Sequence, residues 1–145
     1  MRYAIVVFWV VLALIAAGIT YVRLAPSELG RWHRMPEFQS DSDFENGVNR
    51  ILKTGPDGLA GLAAVAKAGP RTRLLAGSPA HGMMTWITRT KWIGFPDYTT
   101  AVQEGDMLRI HARSRFGKSD LRVNRVRVDG WISQLKPQQN GAGSS

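Results

Sequence analysis

Few side chains in this 145-residue chain have the types and spacing for chemistry. Asp97 and His111 stand on either side of a hairpin-like segment, where a carboxylate and an imidazole can approach as an acid–base pair. A lone contact of this kind is more often structural. His33 and His81 fall in a linker-like stretch and a loop. No HExxH or comparable ligand spacing occurs, and there is no cysteine. No metal site, thiol nucleophile or cofactor is therefore expected.

The densest polar run is Arg113-Ser-Arg-Phe-Gly-Lys-Ser-Asp. It joins the end of an expected strand to the start of an expected helix, whose first N–H groups are unpaired and carry positive potential. Two readings compete. In the first, the run closes the fold: Gly117 permits a tight turn, Asp120 caps the helix and pairs with an arginine, and Asn124 and Arg125 tie it back to the Phe95-Pro96-Asp97 turn. In the second, Arg113, Arg115, Lys118 and Ser119 bind an anion such as a phosphate headgroup, or a partner. A nucleotide-binding reading of Gly117-Lys118-Ser119 fails, because a P-loop needs glycine five residues earlier and Ala112 is there.

The elements that must position these residues follow from periodicity. A helix is expected from Asp43 or Phe44 to Lys53, with Phe44, Val48, Ile51 and Leu52 on one face. A second starts near Asp57, carries Leu59, Leu62, Val65 and Ala66, and stops at Gly69-Pro70. Thr72–Ala76 reads as a short strand. Gly82–Thr90 alternates, with Met84, Trp86 and Thr88 opposite Met83, Thr85 and Ile87. Tyr98–Gln103 and Met107–Ser114 form a hairpin about Glu104-Gly105-Asp106, with Leu108, Ile110 and Ala112 on one face and Arg109, His111 and Arg113 on the other. A last helix runs from Leu121 to Leu135 with an apolar stripe of Leu121, Val128, Trp131, Ile132 and Leu135. Trp86, Trp92, Phe95 and Tyr98 are core candidates; any left exposed would form a rim for a partner or lipid. Strands grouped between helices predict an α+β fold: a small antiparallel sheet of three or four strands packed with two or three helices.

Tyr3–Val22 contains no charged side chain. Twenty helical residues span roughly 30 Å, the thickness of a bilayer's hydrocarbon core. A cleaved signal peptide would have an apolar core of about 7–15 residues and a small-residue cleavage site beyond it, whereas Ala16-Ala17-Gly18 lies inside this span. The expected organisation is an anchor over 1–23, a linker over 24–42, a domain over 43–136 and a disordered tail over 137–145. Trp32 and His33 could rest at a membrane interface or pack under the domain. The formal net charge is +8. Residues 71–136 hold twelve basic and five acidic side chains, a surface attracted to anionic headgroups or, less in keeping with an anchor, to nucleic acid.

Residues 85–135 carry a further signal. Gly94-Phe-Pro-Asp-Tyr, the Glu-Gly-Asp turn and Ile110-His-Ala-Arg-Ser-Arg-Phe-Gly-Lys-Ser-Asp-Leu-Arg-Val-Asn-Arg-Val-Arg-Val resemble the bacterial and plastid family called domain of unknown function 1499. Phe95, Pro96, Asp97, Arg113, Ser114, Arg115, Gly117, Ser119, Asp120, Asn124 and Arg125 match its pattern. Tyr98 stands for a usual acid, Arg122 for a usual glycine, and the Asn-Cys motif often found near the start of the family domain is missing. The resemblance implies a fold and a unit, and no reaction. Many members carry a membrane or export segment. That implies a single-pass protein of the bacterial inner membrane with a periplasmic domain, although Arg23, Arg31 and Arg34 lean the other way under the positive-inside rule.

The functional expectation is a membrane-anchored, non-enzymatic accessory or binding domain. Its partners would be the lipid bilayer and a membrane protein complex, with no nucleic acid. The alternative is a hydrolase-like enzyme on an acidic membrane-linked substrate, which would need Asp97 or His111 in a polar cleft.

Overall fold

A computed structural model describes residues 1–141 of the chain. An apolar helix, α1 (Arg2–Leu24), is followed by one helical turn, α2 (Leu29–Trp32). Then come β1 (Ser42–Phe44), β2 (Gly47–Lys53), α3 (Gly58–Ala68), β3 (Thr72–Ser78), β4 (Met83–Arg89), β5 (Pro96–Glu104), β6 (Met107–Ser114) and α4 (Val123–Gly141). The strands form one sheet of order β1-β2-β6-β5-β4-β3. Every neighbouring pair is antiparallel.

The architecture is α+β as expected, but the sheet has six strands, not three or four. The difference lies in residues 42–53, expected to be helical. Glu45-Asn46 is a two-residue loop joining β1 to β2, with Phe44 paired to Gly47. Asn46-Gly47 is a strong hairpin signal, and Val48, Arg50 and Leu52 alternate on the face shared with Ala112, Ile110 and Leu108. Seven residues of pairing with β6 outweigh the helix-like spacing of Phe44, Val48 and Ile51.

Residues facing α3 and α4 build the main core: Val48, Met84, Trp86, Ala101, Leu108, Ile110 and Ala112 from the sheet, with Leu59, Leu62, Val65, Val128, Trp131 and Leu135 from the helices. Trp86 and Trp131 meet edge to face at 5.9 Å. The Gln103 side chain accepts from the Leu59 amide at 2.9 Å and donates to the Gly55 carbonyl, fixing the start of α3. Leu121, expected in the stripe of the last helix, precedes α4 in a left-handed conformation and is 85% exposed. At the other end α4 runs to Gly141, and residues 142–145 of the expected tail lie outside the described residues.

The opposite face of the sheet is covered by the segment assigned to a linker. Trp32 is buried there with Ile87 and Tyr98, stacked on the Tyr98 ring at 3.9 Å and 11°. The Trp32 carbonyl accepts from Thr100, and His33 Nδ1 lies 2.8 Å from the Thr85 hydroxyl. Of the two placements open to Trp32, the structure has the one under the domain. Helix α1 has no buried residue. It is the one described helix long and apolar enough to cross a membrane, a property it shares with signal sequences.

Gly47 sits where β1, β2 and β6 converge. A Cβ there would overlap the Ala112 carbonyl oxygen and the Phe44 ring. The backbone oxygen cannot retreat without breaking the β2–β6 ladder, so Gly47→Ala should destabilise the protein by at least about 2 kcal/mol. Urea unfolding followed by tryptophan fluorescence measures this.

Candidate functional site

The polar residues of the sequence motif gather where β5 and β6 end and α4 begins. Asp97 and Ser114 are directly paired across the strands, and the Ser114 hydroxyl donates to the Asp97 carboxylate at 2.6 Å. Asn124 donates from Nδ2 to Ser114 Oγ and to Asp120 Oδ2, both at 2.9 Å. Arg127 donates to the second Asp97 oxygen at 3.3 Å and to the Asn124 carbonyl oxygen. The Asp97–Arg127 side chains are 4% and 11% exposed. Burial pushes the Asp97 carboxyl up, against the Ser114 and Arg127 bonds that favour its charged form. Burial likewise lowers Arg127, against the pull of Asp97.

Asp120 is the capping residue. Its carboxylate accepts from the amides of Arg122 and Asn124 at 2.8 and 3.1 Å. Val123 N–H donates to the Asp120 carbonyl, and Leu121 N–H to Ser119 Oγ. The amides of Leu121 to Asn124 are thus all engaged, and an external anion would have to displace Asp120. No arginine forms an ion pair with Asp120 among the described residues; within this network the carboxylate held by arginine is Asp97. The cap also requires Leu121 and Arg122 at φ 51° and 65°. Non-glycine residues adopt that region at a cost, and Arg122 stands where the resemblance expects glycine.

The four residues grouped as an anion site are not brought together. Arg113 and Arg115 turn to the opposite face of the sheet. Arg113 lies 4.5 Å over the Trp32 ring and donates to the Arg31 carbonyl. Arg115 donates to the Pro26 carbonyl at 2.9 Å and lies near the Tyr98 hydroxyl. Lys118 and Ser119 stay on the exposed loop, with Gly117 at φ 90°. Phe95 packs near Phe116 at 6.1 Å, and the Pro96 carbonyl accepts from the Arg115 amide. Arg125 reaches Asp43 at 3.2 Å instead of the Phe95-Pro96-Asp97 turn. Arg50 bridges Asp43 and Asp129 at 2.8 Å each. Sequence reasoning missed Arg127. Its signal was the three-residue step from Asn124, which sets both on one helix face.

Asp97 and His111 stand on opposite faces of the sheet and cannot act as one acid–base pair. Asp97 shares its face with Ala101 and Ala112. His111 is directed away with Arg109 and Arg113, its Nδ1 2.7 Å from Asn49 Oδ1 and its ring stacked on Phe44. It lines a cleft of about 270 Å3 with Arg31, Arg34 and Arg113. Burial, then the Arg113 charge, push His111 down to about 4. Burial and the charges of Arg31 and Arg34 lower Arg113. Among the described residues, no three His, Asp or Glu side chains gather in a way that would hold a metal ion.

These observations define a class before a family: a small α+β unit with one helical layer on a six-stranded antiparallel sheet, locked by a buried Asp–Ser–Asn–Arg network. A family model described as "Protein of unknown function (DUF1499)" matches residues 34–135. The chain belongs to that family. No curated protein matches it.

Two predictions follow from this geometry. Asp120→Ala removes a carboxylate that accepts three hydrogen bonds, so it should cost about 1–2 kcal/mol or more; Lys118→Ala should stay within about 0.5 kcal/mol of the parent. Melting temperatures of both variants check the contrast. The second concerns pH. His111 titrates near 6.5 unfolded and about 4 folded, so the unfolded chain binds more protons between those values. Its contribution is complete above pH 6.5 and is lost as pH falls towards 4, roughly 3 kcal/mol in all. Asp97 titrates with the opposite sign, so the comparison is between parent and His111→Gln. The variant should lose less stability from pH 7.5 to 4.5 in chemical denaturation.

Proposed function

We propose that this protein is a membrane-anchored, non-enzymatic binding domain that works at the bilayer surface as an accessory to a membrane protein complex or as an anionic-lipid-binding module. The observation that carries the reading is how α1 meets the domain. Arg23, at its last turn, donates to the carbonyls of Ile93 and Trp92 at 2.9 and 3.0 Å. Tyr21 meets Phe116 edge to face at 6.4 Å. The loop between β4 and β5 and the loop after β6 therefore lie level with the polar end of the apolar helix. Trp92 is 80% exposed in that loop beside Ile93 and Lys91, a combination suited to a headgroup interface.

The polar network belongs to the fold: Asp97, Ser114, Asn124 and Arg127 hydrogen-bond one another in the interior, which is what a fold-closing device does. We propose a periplasmic domain, as the membrane or export segments implied by the family resemblance suggest. Alkaline carbonate extraction of cell membranes tests the anchor. The protein should stay with the lipid fraction, and release into the supernatant overturns the reading. A reporter fused after Ser145 should be active only outside the cytoplasm. Cross-linking in native membranes should attach the domain to a membrane protein if it serves a complex.

A further inference from the structure

A second basic feature lies away from the strand-to-helix motif. Between the β3–β4 edge and the start of α4 is a cleft of about 460 Å3, within the usual range of small-ligand sites, about 300–1,000 Å3. Its rim is Arg71, Arg89 and Lys91. None of the three is in an ion pair among the described residues. They are steadied by neutral groups: Arg71 Nε donates to the Arg89 carbonyl at 3.0 Å, Arg89 donates to the Gly94 carbonyl at 2.9 Å, and Lys91 lies 5.1 Å over the Trp92 ring. The one acid in the cleft, Asp97, is already held by Arg127. Arg127 Nε is buried with no hydrogen-bond partner.

One wall is apolar and open to solvent. Leu121, Val123 and Val126 are 85%, 45% and 69% exposed. Arg71 and Arg89 also line an adjoining hollow of about 550 Å3 that extends to Arg23 at the end of α1. The cleft thus joins a cationic rim, a bare aliphatic wall and an opening beside the apolar helix.

We propose that this cleft binds the phosphate of an anionic membrane lipid, with Arg71, Arg89 and Lys91 around the phosphate oxygens and Leu121, Val123 and Val126 along the glycerol and first acyl carbons. Guanidinium groups suit phosphate through paired N–H donors, and rim cations near a bilayer favour an anionic over a zwitterionic headgroup. The proposal rests on the membrane reading and gives it a site. A soluble phosphate would use the same rim but gain nothing from the wall.

The test uses the full chain in neutral detergent, with bound lipid read by native mass spectrometry. The probes are phosphatidylglycerol, phosphatidylcholine with the same tails, and glycerol phosphate. The parent should retain phosphatidylglycerol about tenfold better than phosphatidylcholine, a difference of about 1.4 kcal/mol. The double variant Arg71→Gln/Lys91→Gln and the single variant Val126→Asp should each abolish that preference, while Lys118→Gln keeps it. A thermal melt accompanies each variant; if the double variant is unstable, Lys91→Gln alone carries the comparison. Equal retention of the two lipids by the parent, or undiminished retention of phosphatidylglycerol by Val126→Asp and Lys91→Gln, overturns the site. Glycerol phosphate binding as tightly as phosphatidylglycerol overturns the lipid assignment. Carbonate extraction of the same variants separates the two ideas. Chains that stay in the membrane but show no lipid preference sink this site and leave the anchored domain standing.

Discussion

Withdrawing a carboxylate from water costs several kcal/mol unless a cation and hydrogen-bond donors meet it. Asp97 is withdrawn almost completely, and its partners come from two elements: Ser114 on β6, and on α4 Arg127 and, through Ser114, Asn124. Only one rotation and one height of α4 over the sheet satisfy all of them. That setting seats Val128, Trp131 and Leu135 in the main core. It also brings the Asp120 carboxylate onto the first amides of the helix. Hydrophobic burial drives the helix onto the sheet, and the network selects which of several similar packings is adopted. Losing either Asp97 or Arg127 would leave a buried charge without its counterpart, a larger penalty than the net worth of the pair.

The opposite face shows the same division between apolar burial and polar placement. Trp32 lies flat on Tyr98, and the Arg113 guanidinium lies over the same indole at 4.5 Å. Arg109 lies over Phe38 in the same manner and donates to its carbonyl. The stretch after α1 is thereby fastened to the sheet by stacked cations and rings, and the family match begins within it, at residue 34. Two of the strand cations, Arg109 and Arg113, are committed to aromatic faces and carbonyls of this segment.

How much of this was legible depended on how local the determinants were. Helix α3, the β5–β6 hairpin and the phase of β4 come from short-range periodicity and turn residues, and these were readable. The β1–β2 hairpin was missed because Phe44, Val48 and Ile51 also fit a helical stripe. Only pairing with β6, sixty residues away, decides for the strand, although Asn46-Gly47 was a usable local sign. Asp97, Asn124 and Asp120 were picked out as a structural set, while Arg127 was lost among neighbouring arginines. The separation of Asp97 from His111 follows from strand parity across a register that must be known first. The rim of Arg71, Arg89 and Lys91 has no sequence signature, because it is assembled by the sheet edge.

The clamp between Arg23 and the carbonyls of Trp92 and Ile93 has a mechanical consequence. A span of twenty-three residues is about 34 Å long as a helix, and such helices adjust to bilayer thickness by tilting, on average about 20°. With a flexible joint the domain would be indifferent to that tilt. Here the last turn is hydrogen-bonded to the domain, and Tyr21 bears on Phe116. On the anchored reading, helix and sheet then lean together as one lever, and the local thickness of the membrane becomes the angle at which the sheet is presented.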